Sequence, residues 1–477
     1  MRDRFALINV RRHTHVASTR ASYVMPGVVG ADFATPSGSL MLPAASHDPS
    51  ANAYLDASRT VFIVISFEGP DRWSQAGGLG VRVTGLADSL AALGHEVHVF
   101  FIGDPERPGE ETYNGVQLHR WSQWLSRHYR AGVYDGEEEK RADLTASLPS
   151  FVTEKVVIPA IRAGKVPIVL FEEWQTAECA SLVSDHLHLT GLRDQAILAW
   201  NANNAYSFDR IDWPRLASSA MITTVSRYMR SIIRARGFDA LVIPNGIPER
   251  LTRPMRPREL QQVRDAFAGM PFFFKMARWG NDKGWTQALD AMRLLRERDD
   301  NTLMVARAGG PNGAGGALES EGERRGLRVQ SVDSPAEIPV AVESAKRGHT
   351  DVLNLRFGVT EELARGMYAA ADGTLANSVS EPFGLVGLEA MAAGGLLYTG
   401  GTGEDYAVSG RNAVVLETLE PGEIADRAQE LREDPDTAAR IRRNARRRAR
   451  DFRWECVAEV LVGRLRLQGL RQGLSTV

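Results

Sequence analysis

Two glutamates, Glu381 and Glu389, lie eight residues apart in a segment whose residue types suit a phosphorylated ligand. Residues 380–395 read SEPFGLVGLEAMAAGG and follow a short apolar run typical of a buried strand. The Pro and the first Gly predict a tight turn, and a helix is predicted to begin directly after it. Backbone N–H groups at a helix start are unpaired and the helix dipole is positive there, so a diphosphate binds well at such a position. The candidate ligand residues at this helix start are Gly384, Leu385 and Val386.

The spacing of the two glutamates matches a ligand with two separated hydroxyl-bearing groups. Eight helical residues rise about 12 Å, an upper bound here because the segment starts in a loop. That length is comparable to the reach from the hexose of a nucleotide-sugar to its ribose, and carboxylates accept hydrogen bonds from hydroxyl pairs. The alternative is a turn residue and a solvated helical charge, as expected for most isolated glutamates. The coincidence of spacing, turn and helix start favours binding.

A pair of cations precedes this segment by about 100 residues. Residues 277–284 read ARWGNDKG and follow the apolar run FFFKM. If Arg278 and Lys283 are independent surface charges beside a turn, they have no common role. If they converge, they neutralise a diphosphate.

The first half of the chain offers a glycine-rich loop and polar strand ends. Gly77 and Gly78 lie in QAGGLG, where glycines let the backbone approach a phosphate or sugar; a simple strand-to-helix turn is the alternative. The next glycine after Gly80 is Gly85, which does not fit the G-x-G-x-x-G spacing of dinucleotide enzymes. The other candidates lie at the ends of later strands, where ligands gather in open α/β sheets. They are Glu172, Glu173 and Trp174 at one strand end and Asn201, Asn203 or Asn204 at another.

The elements that must position these residues alternate between apolar runs and helical patterns. TVFIVIS, starting at Thr60, is a continuous apolar run typical of a strand buried on both faces of a parallel sheet. A helical pattern and a second apolar run follow, and the alternation restarts at residue 272. Asn245-Gly246 and three nearby prolines predict the boundary between two α/β domains.

Composition restricts the class of protein. The chain has 477 residues, enough for two domains, and a net charge of −2 gives no basic excess for nucleic acid. Two distant cysteines fit a reducing compartment, and no run approaches the roughly 20 apolar residues of a membrane span. We expect a cytoplasmic protein; membrane association is not indicated, and the oligomeric state stays open.

Taken together, these segments resemble the retaining GT-B glycosyltransferases, especially family 4 and the glycogen synthases. The Glu381–Glu389 segment resembles their E-x7-E motif, Arg278 to Gly284 their G-R-x4-K-G segment, and GGLG their glycine-rich loop; the resemblance covers about residues 60–465. It implies two Rossmann-like domains facing a cleft, with Arg278 and Lys283 at the leaving diphosphate. It also implies Glu381 at the transferring sugar, Glu389 at the ribose, no metal, and no cofactor besides the nucleotide-sugar co-substrate.

The resemblance implies an organisation of four segments, and two departures from it matter. Glycogen synthases have a Lys where this chain has Gln75, and family members commonly have a His where this chain has the asparagines of LAWNANNA. The predicted segments are an extension (1–58), an acceptor domain (59–246), a donor domain (247–450) and a C-terminal helix returning to the first domain (451–477).

The predicted function is therefore hexosyl transfer from a nucleotide-diphosphate sugar to an acceptor hydroxyl of a small molecule or glycan, with retention of configuration. Two alternatives stay open. A nucleotide-sugar epimerase of the same fold would need acid and base groups in the cleft. A catalytically silent subunit that binds sugar nucleotides would be consistent with the missing His.

Overall fold

The computed structural model describes residues 56–298, 301–309 and 314–474. All of them belong to one compact unit that spans Ser50–Val477. The predicted N-terminal extension, residues 1–58, lies outside the described residues except for its last three positions.

The first half of the described chain forms an eight-stranded sheet in the order β3-β4-β2-β1-β5-β6-β7-β8. Every neighbouring pair is parallel except β3 with β4. All six residues of β1 are buried, as predicted from its continuous apolar run. The strands are β1 (Thr60–Ile65), β2 (Glu96–Ile102), β3 (Glu110–Tyr113), β4 (Val116–Trp121), β5 (Val166–Glu172), β6 (Ile197–Ala202), β7 (Met221–Thr224) and β8 (Leu241–Val242).

The second half forms a seven-stranded sheet in the order β11-β12-β10-β9-β13-β14-β15, parallel throughout. Two α/β units with parallel sheets confirm the fold class predicted from the alternating pattern. The strands are β9 (Phe272–Arg278), β10 (Leu303–Gly309), β11 (Val329–Val332), β12 (Val352–Leu355), β13 (Gly373–Ala376), β14 (Leu397–Thr399) and β15 (Val414–Val415).

Three short strands at or next to a sheet edge, β3, β4 and β11, were not predicted. β3 reads EETY and is mostly exposed, while β4 alternates between buried and half-buried residues. β11 buries one of its four residues. Strands that cover only an edge need no continuous apolar run, so their sequences lack the signal that identified the central strands.

Helices connect and cover the strands. They are α1 (Gly78–Ala92), α2 (Gln123–His128), α3 (Glu137–Val152), α4 (Ile158–Arg162), α5 (Ala177–Leu189), α6 (Trp213–Ser219), α7 (Arg227–Arg234), α8 (Glu249–Thr252), α9 (Pro257–Phe267), α10 (Trp285–Glu297), α11 (Ala314–Arg324), α12 (Ile338–Lys346), α13 (Glu361–Ala370), α14 (Leu385–Ala393), α15 (Pro421–Glu433), α16 (Pro435–Ala449) and α17 (Trp454–Arg471).

The continuous helical segment Glu137–Arg162 is the one described helix whose length and composition would allow it to cross a membrane. Length and composition are weak criteria, because core helices of globular proteins meet them too. Here Leu144, Leu148 and Val152 are fully buried in the hydrophobic core of the first sheet. Their burial accounts for the apolar composition of the segment.

The arginine-rich helix α16 stabilises the ends of other helices. Arg442 donates to the carbonyl of Ala371, 2.7 Å away, and Arg446 donates to Ala393, 2.8 Å away. These carbonyls stand at the C-terminal ends of α13 and α14, where backbone acceptors are unpaired and the dipole is negative. Two arginines of this helix therefore cap two helices of the second domain.

Helix α17 returns to the first domain, where Trp454 fits between two glycines. A Cβ at Gly85 of α1 would lie 2.2 Å from Trp454 Nε1, and one at Gly246 would lie 2.5 Å from the indole ring. The backbone of Ile247 pairs with this segment, accepting from Trp454 N at 3.1 Å. The glycines thus allow the C-terminal helix to lock the interdomain linker against the first domain.

This packing predicts opposite effects for two Gly→Ala substitutions in helices. Gly85→Ala should destabilise the protein by about 1–3 kcal/mol, because the methyl group collides with Trp454. Gly463→Ala in α17, where an added Cβ meets nothing within 4 Å, should stabilise it by about 0.5–1 kcal/mol through helix propensity. Denaturant unfolding of both variants measures the difference, and equal stabilities would contradict the close packing at Trp454.

Candidate active site

The start of helix α14 is shaped by one glycine in a left-handed conformation. Gly384 has φ +78° and ψ 58° and precedes Leu385, the first residue of the helix, as predicted. The hydroxyl of Tyr406 donates to the carbonyl of Gly384 at 2.6 Å. A Cβ added to Gly384 would lie 2.9 Å from the hydroxyl oxygen of Tyr406. Only glycine fits here without strain. The unpaired N–H groups of the helix are thereby held at the edge of the second sheet.

A cavity of about 340 Å³ lies in front of this helix start and brings the predicted cations together with Glu381. Lys283 follows β9 in the turn before α10, and its Nζ is 3.6 Å from a Glu381 oxygen and 3.2 Å from Asp282. The lining residues are Lys275, Met276, Ala277, Arg278, Lys283, Leu375, Ala376, Ser378, Glu381, Gly384, Val386 and Gly387. Because Arg278, Lys283 and Glu381 line one cavity, the two cations are not unrelated surface charges.

Lys275 is a third cation of this cavity that the sequence analysis missed. It is 1% exposed, and its Nζ donates to Asn377 Oδ1 at 2.6 Å and to the carbonyl of Leu375 at 3.3 Å. Burial lowers its pKa to about 7; nearby Lys283 also lowers this pKa, and the charge of Glu381 opposes the shift. The available signal was a lysine inside the apolar strand FFFKMAR, where a charged residue is unusual.

Asn377 holds the loop that carries Lys283. Its side-chain amide donates to the carbonyl of Gly284 at 3.0 Å and to Gln287 Oε1 at 2.8 Å. Gly284 has φ +64°, and a Cβ there would lie 2.2 Å from the carbonyl oxygen of Asn377. The end of β13 and the start of α10 are therefore in direct contact, which fixes the position of the cations.

A larger cavity of about 580 Å³ lies between the two sheets, and Glu381 and Gly384 line both cavities. Six of its lining residues were predicted from the first domain, namely Gly77, Gly78, Glu173, Trp174, Asn203 and Asn204, and several were not. Its lining residues are Glu68, Gly77, Gly78, Leu79, Tyr134, Glu137, Glu173, Trp174, Gln175, Asn203, Asn204, Tyr206, Asn245, Glu381, Pro382, Phe383, Gly384 and Leu385. The two cavities together form a site between the domains.

The amides of the glycine-rich loop are already hydrogen-bonded to a carboxylate, that of Glu68. Its Oε2 accepts from the N–H groups of Ala76, Gly77 and Gly80 at 3.0, 3.1 and 3.0 Å. Gly78 is different, because a Cβ built there meets nothing within 4 Å. A ligand can therefore approach the loop at Gly78, whereas the amide of Gly77 serves the loop itself.

A buried ion pair supports the opposite side of the same cavity. Arg82 Nε lies 3.1 Å from both oxygens of Glu172, and its Nη1 donates to Asn245 Oδ1 at 2.9 Å. Glu172 Oε2 also accepts from the side-chain amides of Asn201 and Asn203 at 2.9 and 3.0 Å. The side-chain amide of Asn201 donates to Glu172 and accepts from the hydroxyl of Thr223, and Asn201 does not line the cavity. Asn203 does line it.

Glu173 has an unusual backbone conformation for a residue with a side chain. Its φ of 71° and ψ of 169° fall in a region that is essentially restricted to glycine. The strain is held by Trp200 Nε1, which donates to its carbonyl at 2.9 Å, and by the amides of Asn203 and Asn204, which donate to its carboxylate at 2.6 and 3.1 Å. Burial, assisted by the neighbouring Glu172, raises the pKa of Glu173 to about 8. Strained, buried acids of this kind cluster at functional sites.

Glu389 lies farther along α14 and lines neither cavity. It is half-buried, and burial together with the nearby charge of Glu361 raises its pKa to about 7. Leu385 lines the larger cavity and Val386 the smaller one. Within the described part of the chain, no three His, Cys, Asp or Glu side chains are grouped so as to hold a metal ion. The assigned roles of these residues stay predictions.

Comparison with protein families places both halves of the chain in glycosyltransferase families. Residues 77–246 match the model described as "Glycosyl transferase 4-like domain", and residues 258–448 match "Glycosyl transferases group 1". D-inositol 3-phosphate glycosyltransferase from Thermobispora bispora is 26% identical over 406 residues, which is 80% of this chain and 88% of that protein. The protein of that name from Streptomyces avermitilis is 27% identical over 409 residues, 80% and 81% of the two chains.

Solved structures with the same fold include sucrose-phosphate synthase from Thermosynechococcus elongatus, with a TM-score of 0.58 and 20% identity over 87% of this chain and 100% of that chain. The catalytic domain of starch synthase IV from Arabidopsis thaliana, bound to ADP and acarbose, gives a TM-score of 0.60 at 16% identity over 86% and 99% of the two chains. These likenesses establish the architecture. The family matches, the relatives and the fold together show that this chain belongs to the GT-B glycosyltransferases of the family 4 type.

Proposed function

We propose that this glycosyltransferase moves a hexose from a nucleotide-diphosphate sugar to an acceptor hydroxyl, with retention of configuration and without a metal. The observation that carries the proposal is the convergence of Arg278, Lys283 and Glu381 at the N-terminal end of α14. Two cations and a helix start suit a diphosphate, and a carboxylate at the opening toward the larger cavity suits the sugar attached to it.

In the proposed reaction the donor lies in the smaller cavity and the acceptor in the larger one. Arg278 and Lys283 stabilise the diphosphate as it leaves, when its negative charge grows. A donor phosphate oxygen accepts the proton of the acceptor hydroxyl on the same face of the sugar. Glu381 lines both cavities and interacts with the transferring sugar. Glu389 lines neither cavity, so its assignment to the ribose requires the bound nucleotide to extend beyond the smaller cavity along α14.

Uridine diphosphate sugars are the first donors to test, since Anabaena Alr3699/HepE, which is similar in fold, was solved in complex with UDP. A donor and acceptor of this kind fit the cytoplasmic location predicted from the cysteine usage. No cofactor besides the donor is required by the proposed reaction.

Turnover of nucleotide-sugars tests the proposal directly. UDP-, GDP- and ADP-sugars are incubated with the protein, alone and with an acceptor panel, and free nucleotide and sugar products are followed by NMR. We expect an acceptor-dependent glycoside with the anomeric configuration of the donor, and we expect EDTA to leave the rate unchanged. A new nucleotide-sugar formed without acceptor would indicate an epimerase, and binding without turnover a silent subunit. Activity lost in EDTA and restored by Mg²⁺ would refute metal independence.

The diphosphate assignment predicts weaker nucleotide binding when either cation is removed. Arg278→Ala and Lys283→Ala should each cost about 1.5–3 kcal/mol, because each removes a charge-assisted hydrogen bond to the phosphates. Calorimetric titration with the nucleoside diphosphate measures the loss. Lys346→Ala is the matched control, since this exposed lysine of α12 pairs only with Glu343. Unchanged affinity in both cavity variants would remove the diphosphate from this position.

The two glutamates should separate by role. Glu389→Ala should mainly weaken nucleotide binding, because the ribose does not react. Glu381→Ala should lower kcat much more than it weakens binding of the free nucleotide, because its contacts strengthen as positive charge develops at the anomeric carbon. Nucleotide affinity and kcat are measured for each variant. If Glu381→Ala loses affinity and Glu389→Ala retains it, the donor lies in the opposite direction along α14.

A further inference from the structure

The two cavities of the active site differ in the sign of the charges that line them. Lys275, Arg278 and Lys283 all line the smaller cavity, where the donor diphosphate is proposed to bind. The larger cavity is lined by four acidic side chains and, among the described residues, by no Lys, Arg or His. Glu173, with a pKa of about 8, is mostly protonated at neutral pH, so the negative charge comes from Glu68, Glu137 and Glu381. Only the smaller cavity therefore offers positive charge that can neutralise a negatively charged ligand.

On the acceptor side, three carboxylates of the first domain are held without cations. Glu68 accepts backbone amides and the hydroxyl of Tyr134, which lies 2.7 Å away. Glu137 accepts from Gln175 Nε2 at 2.9 Å, and Glu173 accepts two backbone amides. None of the three forms an ion pair with a described residue. We call this part of the lining the acceptor wall; its residues are Glu68, Tyr134, Glu137, Glu173, Trp174, Gln175, Asn203 and Tyr206. Two arginines outside the cavity contact its lining residues and already have acidic partners. Arg210 is stacked on the ring of Trp174 and bound to both oxygens of Glu138, and Arg82 is paired with Glu172 and donates to Asn245.

Two buried amide oxygens on the same wall lack hydrogen-bond donors. Gln175 is 4% exposed and lines the cavity, and its Oε1 has no partner within the described chain. Asn203 also lines the cavity, and its Oδ1 likewise has no hydrogen-bond partner within the described chain. Both oxygens are covered by protein atoms. Because an unsatisfied buried oxygen costs free energy, rotation of either side chain toward a hydrogen-bond donor in the cavity would be favourable. Hydroxyl and ammonium groups donate, whereas a phosphate presents acceptor oxygens.

Aromatic side chains complete the wall. Trp174, Tyr134 and Tyr206 line the cavity, and the last two are 40% and 71% exposed. Aromatic faces attract C–H groups of saturated rings and, more strongly, ammonium groups. They offer no complement to an anion, because the faces carry negative partial charge.

We propose that the acceptor is an unphosphorylated polyhydroxyl ring compound and that members bearing an amine bind best. This inference rests on the proposed transferase function and names the acceptor class of that site. It separates this chain from the relatives named for inositol 3-phosphate, whose acceptor carries a phosphate. A phosphate in the larger cavity would face carboxylates with no lining cation to neutralise it.

Binding of matched acceptor pairs to the full chain tests the proposal. The probes are myo-inositol with inositol 3-phosphate, glucose with glucose 6-phosphate, and glucosamine. Dissociation constants are measured by saturation-transfer NMR, with and without saturating UDP. We expect each parent compound to bind at least about tenfold more tightly than its phosphate, and glucosamine to bind more tightly than glucose.

Charge reversal on the wall provides a gain of function with a matched control. Glu137→Lys should weaken glucosamine binding and strengthen glucose 6-phosphate binding, each by about tenfold. Glu139→Lys, an exposed position in the same helical turn that does not line the cavity, should change neither.

Three outcomes would overturn the acceptor class: phosphates that bind as tightly as their parents, identical effects of both reversals, or no binding by any probe at saturating UDP. Failure of the proposed function has a different result. In that case UDP does not bind and no nucleotide-sugar is consumed, while the ranking of acceptors measured without UDP still holds.

Discussion

The buried ion pair between Arg82 and Glu172 is the interaction on which the geometry of the first domain depends. It joins helix α1, the end of β5 and the interdomain linker, because Arg82 also donates to Asn245. Glu172 in turn accepts hydrogen bonds from Asn201 near the end of β6 and from Asn203 just after it. Removing one partner of a buried pair leaves an uncompensated charge at a cost of about 3–5 kcal/mol. The pair therefore fixes where the linker leaves the domain and where the acceptor wall stands.

Next to this ion pair, backbone strain and hydrogen bonds fix the groups that line the proposed acceptor site. Glu173 follows Glu172 directly and is held in a glycine-like conformation by Trp200 and by the amides after β6. A strained residue persists only where its surroundings over-determine it, and here they do. On the other side of the cavity, Glu68 organises the glycine-rich loop through three amides. The acceptor wall is thus preorganised before any ligand arrives.

The second domain differs from the first because it presents positive charge to the cleft. The start of α14, the exposed Arg278, the half-buried Lys283 and the buried Lys275 meet in one cavity, while Arg446 of α16 caps the opposite end of α14. Cations at one end of the cleft and carboxylates at the other give it an electrical polarity. In the proposed reaction this polarity orients the donor diphosphate and rejects anionic acceptors.

The sequence by itself determined the parts whose signals are local. Buried parallel strands leave continuous apolar runs, and turns and helix starts leave glycines and prolines, so two α/β domains, the start of α14, and the candidates Glu381, Arg278 and Lys283 could be predicted. Only the tertiary structure decided which side chains share a cavity. It placed Glu68, Glu137 and Gln175 on the wall with Glu173, occupied the amide of Gly77, and kept Asn201 and Glu389 out of the cavities. Most of these contacts are not local: Glu68 and Tyr134 are 66 positions apart, and Glu137 and Gln175 are 38 apart. They depend on burial and hydrogen-bond saturation, which no spacing along the chain encodes.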